Sequence, residues 1–175
     1  MKPPFEIDFS LSVKDYKNSV RAFHLKQRST WISLSVTGVL FIYGLFLILN
    51  PDSDLSNYSI FALLLFPVIL FAYLVFSPNR MAASVSQSDR YFAPQNWRVD
   101  QAGIKITNEY GELKFKWTDF IGVVENTTYL LLQYASNKNA FQIVPKRAFL
   151  SAEQEEAFRD LAKQNVKKAQ QTRRK

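Results

Sequence analysis

The sequence predicts an α+β membrane protein: a transmembrane helical hairpin joined to a small antiparallel β-sheet or barrel with a C-terminal capping helix. Three observations carry that expectation. Two uncharged apolar blocks stand close together in the first half of the chain. After them, strand and turn signals recur every 8–12 residues. The last stretch then changes to a helical period with charges sorted by sign.

The blocks come first. Trp31 to Leu49 is 19 residues without a charge, twelve of them Leu, Ile, Val or Phe, and Ser59 to Phe76 is 18 residues with thirteen of that class. At about 1.5 Å per residue each reaches roughly 27–29 Å, close to the ~30 Å hydrocarbon core of a bilayer. Each such residue favours insertion by about 0.3–0.6 kcal/mol, so each block gains roughly 4–8 kcal/mol before polar discounts. In water, helices apolar on every side need a large covering domain, and a chain of 175 residues leaves too little to build one. Residues 31–76 are therefore expected to form the hairpin, with spans 31–49 and 59–76.

Charge sets the expected orientation. The connection Asn50 to Tyr58 holds Asp52 and Asp54 and no Lys or Arg, whereas six Lys/Arg precede the first span and sixteen follow the second. Positive flanks stay inside, which predicts a multi-pass protein with both termini cytoplasmic. The first block starts too late and runs too long for a cleaved signal peptide. Ser33, Thr37 and Gly44 offer a face of small groups for the second helix, and Pro67 predicts a kink in that helix. Neither span carries an ionisable residue, which argues against a proton or ion pathway. Asp52 and Asp54 lack calcium-loop spacing, because Asn57 stands where Gly is needed and Leu63 where the bidentate Glu belongs.

Residues 1–30 read as an N-terminal strand and a juxtamembrane helix. Phe5, Ile7, Phe9 and Leu11 alternate with polar residues, the period of a strand with one buried face. A helical stretch from Ser12 or Lys14 runs into the first span. Its Lys17, Arg21, Lys26 and Arg28 fit either anionic headgroups or simple retention of topology, and His24 reads as an interfacial surface residue.

Residues 91–171 read as a cytoplasmic β domain. Ser77-Pro78-Asn79 is expected to break the second helix, and Met81 to Asp89 to form a polar connector. Strands follow at Trp97–Val99, Gly103–Thr107, Leu113–Trp117, Phe120–Glu125, Thr128–Tyr134 and Ala140–Val144, the last stopped by Pro145. Ser151 and Gln154 make a capping box. Early Glu153, Glu155 and Glu156 and late Lys163, Lys167 and Lys168 match the helix dipole. Phe158, Leu161, Ala162, Asn165 and Ala169 form the inner stripe of a helix of about 17 residues, with Thr172 to Lys175 frayed. Six strands and one plugging helix describe a pleckstrin-homology-like domain. Such barrels usually have seven strands, so Phe5–Leu11 is expected to pair with an edge strand of this domain, making the hairpin an insertion within it.

These features also resemble a family. The strand ending near Asp15-Tyr16, the two adjacent spans, Trp117 followed by Phe120, and Ile143-Val144-Pro145-Lys146-Arg147-Ala148-Phe149 before the helix are similar to the YcxB-like bacterial membrane proteins. The resemblance covers nearly the whole chain, and its most specific part is Pro145 to Phe149 ahead of Ser151. It implies a membrane-anchored module of the bacterial inner (cytoplasmic) membrane without established enzymatic activity.

Composition narrows the function classes. With no Cys, one His and 5 Gly in no phosphate-cradling pattern, no nucleophile–base pair, metal centre or cofactor is expected, and the chain is expected not to be an enzyme. The net charge of +7 is explained by the positive-inside bias without nucleic acid. A binding or scaffold module is the leading expectation, its partners the bilayer, anionic lipid headgroups or a membrane protein. Lys146 and Arg147, with Arg80, Arg90 and Arg98 near the membrane exit, would suit phosphate groups if clustered; a solvated basic loop is the plainer alternative. Trp97 and Trp117 read as core aromatics. An inner-membrane immunity protein that neutralises a pore-forming or membrane-active toxin is the alternative from a different class.

Overall fold

The structure, a computed structural model, describes residues 5–50, 57–85 and 89–173. By contacts the chain divides into two compact units, residues 1–19 with 82–175, and residues 20–81. Asp52 and Asp54 lie outside the described residues.

The first unit is α+β. β1 (Phe5–Phe9) precedes the hairpin, and β2 (Gln95–Val99), β3 (Gly103–Asn108) and β4 (Gly111–Lys116) follow it. These four form one antiparallel sheet in the order β1-β2-β3-β4. Phe5 stands opposite Val99, Ile7 opposite Trp97 and Phe9 opposite Gln95, so the N-terminal strand pairs with a C-terminal one as the alternation predicts. β5 (Phe120–Glu125), β6 (Tyr129–Tyr134) and β7 (Phe141–Pro145) form a second antiparallel sheet.

Period-two patterning places Ile7, Trp97, Val99, Ile104 and Ile106 inside, together with Leu130, Leu132 and Val144 of the second sheet. The hairpin between β3 and β4 turns on Glu109-Tyr110, and Gly111 takes φ +135°, a conformation that an L side chain rarely adopts. Gly103 is required for a different reason. A Cβ there would lie 2.0 Å from the carbonyl oxygen of Phe115, so the β3 and β4 backbones approach too closely for any side chain.

Trp117 does not extend β4. It opens a 3-10 turn over Trp117–Asp119, where the Asp119 carboxylate accepts from the Lys116 backbone N–H at 2.8 Å and bends the chain out of the strand. The Trp117 ring remains in the core, its indole N–H donating to the Asp100 carbonyl at 2.9 Å.

The C-terminal helix, α5 (Ala152–Arg173), has 22 residues and continues past the expected end. Ser151 caps it by accepting from the Gln154 N–H at 3.2 Å, while the Gln154 side chain accepts from the Leu150 N–H rather than that of Ser151. Phe158, Leu161, Ala162 and Val166 enter the core. Val166 takes the inward place expected of Asn165, whose amide instead donates to the Leu161 carbonyl and reaches Gln101.

The second unit takes in the end of the first of three helices, the whole of the second and most of the third. α1 (Val13–Lys26) begins on a Ser12 cap, and α2 (Arg28–Leu49) starts after a break at Gln27, so what was expected as one helical stretch running into the first apolar block is two helices. α3 (Asn57–Val85) contains the expected second span and runs on through Ser77-Pro78-Asn79, where a stop was expected. One proline removes a single backbone donor, and the helix-favouring Met81-Ala82-Ala83 beyond it sustain the helix. α3 is likewise continuous through Pro67. A Cβ on Gly44 would lie 3.0 Å from Leu64 Cδ2, so this glycine sets a close α2–α3 approach. Thr37 and Leu47 are buried nearby on the helix surface, whereas Ser33 is exposed. A short helix, α4 (Asp89–Phe92), then leads into β2.

Thr30–Leu49 is long and apolar enough to cross a membrane, with a mean hydropathy of 2.3, and Phe61–Tyr73 is a shorter apolar stretch. Large side chains on both helices face outward: Ile42 is 67% exposed, Leu49 79% and Phe61 73%.

Candidate functional site

Of the five basic residues singled out by the sequence, Lys146 and Arg147 are adjacent, and each is already engaged. They occupy a 3-10 turn between β7 and α5, Lys146–Ala148, set by Pro145 ending the strand. Arg147 grips Asp15 through both guanidinium nitrogens, at 2.8 Å to Oδ1 and 2.7 Å to Oδ2, and donates to the Ser10 carbonyl at 3.1 Å. Asp15 is 7% exposed. It also accepts from the Tyr129 hydroxyl at 2.9 Å and from the Ser12 hydroxyl and backbone N–H at 2.7 and 2.9 Å. Burial alone would raise the Asp15 carboxyl, but the Arg147, Ser12 and Tyr129 donors outweigh it and hold the group well below the usual carboxylate range.

Lys146 points into a second network. Its ammonium lies 2.9 Å from Glu125 and 2.8 Å from Glu155. Glu125 also receives Lys163 at 3.0 Å and Arg159 at 3.4 Å. Burial opposes the Glu125 charge, and the hydrogen bonds from Lys146 and Lys163 overcome it, setting the carboxyl at about 2. The adjacent cations therefore act as braces. Arg147 ties the N-terminal segment to the end of β7, and Lys146 joins β5 to the first turn of α5. Both members of the pair from which a phosphate role was expected are thus ion-paired within the chain.

Arg80 is exposed on α3, Arg90 belongs to α4, and Arg98 is exposed on β2. Arg98 has neighbours that the sequence reading passed over. It stands opposite Lys105 of β3, and Lys105 stands opposite Lys114 of β4, which puts three cations in one row across the outer face of the sheet. Lys116 continues the β4 side of that face, opposite Gly103. A groove of about 430 Å³ opens here, lined by Arg98, Lys105, Lys114 and Lys116 together with Gly103 and Asp100. Glu112 bridges Lys105 at 2.6 Å and Lys114 at 2.9 Å. Among the described residues, neither Arg98 nor the Lys116 ammonium has an ion-pair partner. The signal was present in the sequence as Lys105, Lys114 and Lys116 at alternate strand positions, but only the register unites them with Arg98.

Trp97 and Trp117 are both buried, as their expected core role requires. Among the described residues no group of three or more His, Asp or Glu side chains is placed to hold a metal ion.

The chain is thus a two-sheet β unit with a C-terminal helix, interrupted in sequence by apolar helices. The family model described as YcxB-like protein matches residues 99–162, from the end of β2 into α5, and the chain is similar to that family over those residues. The match includes Trp117, Phe120 and the Pro145–Phe149 run that carry the resemblance in the sequence. No curated protein matches the chain.

Proposed function

We propose that this chain is a non-enzymatic binding module of the bacterial inner membrane, anchored by a two-span hairpin and presenting a pleckstrin-homology-like domain to the cytoplasm. One observation carries the reading: β1, which precedes the apolar helices, is hydrogen-bonded to β2, which follows them. Both ends of the helical segment therefore return to a single folded unit, and a domain tied at both ends to a hairpin in the bilayer is confined to the surface. Seven strands in sheets of four and three, followed by a C-terminal helix, support the pleckstrin-homology-like reading.

The outward-facing Ile42, Leu49 and Phe61 support the bilayer as the solvent of α2 and α3, since contiguous apolar surface of that kind marks a membrane or partner contact. The charge asymmetry about the hairpin supports the cytoplasmic orientation. Binding is favoured over catalysis because a chain with no Cys and one His offers no nucleophile–base pair.

Membrane fractionation tests the anchor. The full-length chain should remain in the pellet after alkaline carbonate washing and enter solution only with detergent. Release by carbonate would mean a peripheral protein and overturn the reading.

A further inference from the structure

We propose that the groove on the outer face of the β1–β4 sheet binds the phosphate of an anionic lipid headgroup through Arg98, Lys105, Lys114 and Lys116. The proposal rests on the membrane-anchored reading and assigns its ligand site to residues other than Lys146 and Arg147.

The cross-strand register is the first argument. Arg98, Lys105 and Lys114 are directly opposite one another on three successive strands. Like charges in such positions oppose pairing of the strands. In the neighbouring row, Asp8, Asn96, Thr107 and Glu112, the two charges, both acidic, are kept apart by uncharged residues. A surface shaped only for solubility would intersperse its charges in the cationic row as well. Glu112 relieves part of the repulsion by bridging two lysines, and Glu6 stands opposite Arg98 at the far end. Arg98 and Lys116 are left without an ion pair among the described residues. An external anion completes the set.

Shape is the second argument. Gly103, opposite Lys116, contributes no side chain, and its backbone lies too close to that of Phe115 to accept one. The face is therefore hollow where the cations converge, with about 430 Å³ of space. Asp100, the carboxylate at this end, is occupied as an acceptor for the backbone N–H groups of Ala102 and Gly103, at 2.7 and 3.0 Å.

Phosphate suits these donors. The Arg98 guanidinium can engage two phosphate oxygens at once, and the lysines add compact charges. A domain tethered to the bilayer meets headgroups at high local concentration, so modest intrinsic affinity suffices.

Native mass spectrometry of the full-length chain in a neutral detergent tests the site, with titration by phosphatidylglycerol, phosphatidylcholine and pyrophosphate. Phosphatidylglycerol should bind at least about tenfold more tightly than phosphatidylcholine, as expected for a charge-assisted site. Arg98→Gln combined with Lys116→Gln should remove most of that preference. Lys167→Gln combined with Lys168→Gln, an equal loss of charge from the exposed face of α5, should leave it within about twofold. The charge-conserving pair Arg98→Lys and Lys116→Arg should retain the preference at reduced strength, which separates loss of binding from loss of fold.

Equal losses in the two Gln pairs would mean generic charge attraction and overturn the site. Binding of pyrophosphate without preference between the lipids would assign the groove to a free phosphate compound and overturn the headgroup. A chain that stays in carbonate-washed membranes yet shows no lipid preference refutes this site alone, whereas carbonate release refutes the anchor on which it rests.

Discussion

At the scale of single residues, the instructive pair is Lys146-Arg147. Adjacent cations between a strand and a helix look like a binding loop in sequence, yet each faces a carboxylate of its own chain. What sequence could not supply was the long-range partner: Asp15 lies 132 positions from Arg147 and Glu125 lies 21 from Lys146. The helix start near Ser12 was legible as a local pattern, but the use of Asp15 as the receptor for Ser12, Arg147 and Tyr129 was not.

These carboxylates predict the pH response. Both Asp15 and Glu125 have folded-state values below their ordinary ones, so the folded form binds fewer protons than the unfolded form in acid. Their stabilisation is complete above the unfolded values and is lost as the pH falls through the folded ones. For Glu125 the window runs from 4.5 down to about 2. Its contribution at neutral pH is at most about 3 kcal/mol, since a quarter of the side chain meets solvent and screens the pairs. Denaturant midpoints of the detergent-solubilised chain, followed by tryptophan fluorescence, should fall across that window. Glu125→Gln should lower the midpoint at pH 7 and flatten its decline in acid. An unchanged slope in that variant would show that the network does not govern acid stability.

At the scale of elements, β1 carries the account. A lone apolar strand in water lacks both hydrogen-bond partners and a core, and that requirement alone forecast its union with the strands beyond the hairpin. The structure sharpens the expectation by residue. Ile7 is 2% exposed, whereas Phe9 is only partly buried, tilted against Trp97 at 5.4 Å between ring centroids. Ile7→Asp should therefore destabilise the β unit by several kcal/mol, because it buries a charge without a partner. Phe9→Asp should cost less. Limited proteolysis of the full chain reads both, as faster cleavage between β2 and α5. Wild-type resistance in Ile7→Asp would place the strand outside the core.

The other elements show where local reading succeeds and fails. Strand-type residues and turn signals located all seven strands, although β6 is buried on both faces and β4 is almost wholly exposed. Helix ends were less legible. Pro78 looked like a stop and α3 passes through it, while Gln27 carried no break signal and yet separates α1 from α2. A proline forbids one hydrogen bond, and helix continuation is decided by the residues around it. The cationic row was invisible for another reason: cross-strand register is a property of the sheet, and no single strand contains it.

At the scale of the whole molecule, the central claim is a cytoplasmic β unit interrupted by a hairpin that crosses the membrane twice. The claim joins the pairing of β1 with β2 to the charge asymmetry of the flanks. It requires residues on both sides of the hairpin to share a compartment and the connection between the spans to occupy the other. The chain contains no cysteine, so single substitutions report position without background. The most direct measurement is labelling of Ser10→Cys, Ser53→Cys and Ser136→Cys in intact inner-membrane spheroplasts with a membrane-impermeant maleimide, with and without permeabilisation. The account predicts that Cys at position 53 reacts in intact spheroplasts, while those at positions 10 and 136 react only after permeabilisation. Labelling at 136 but not at 10 in intact spheroplasts would put β1 and the C-terminal strands on opposite sides of the membrane and contradict the account.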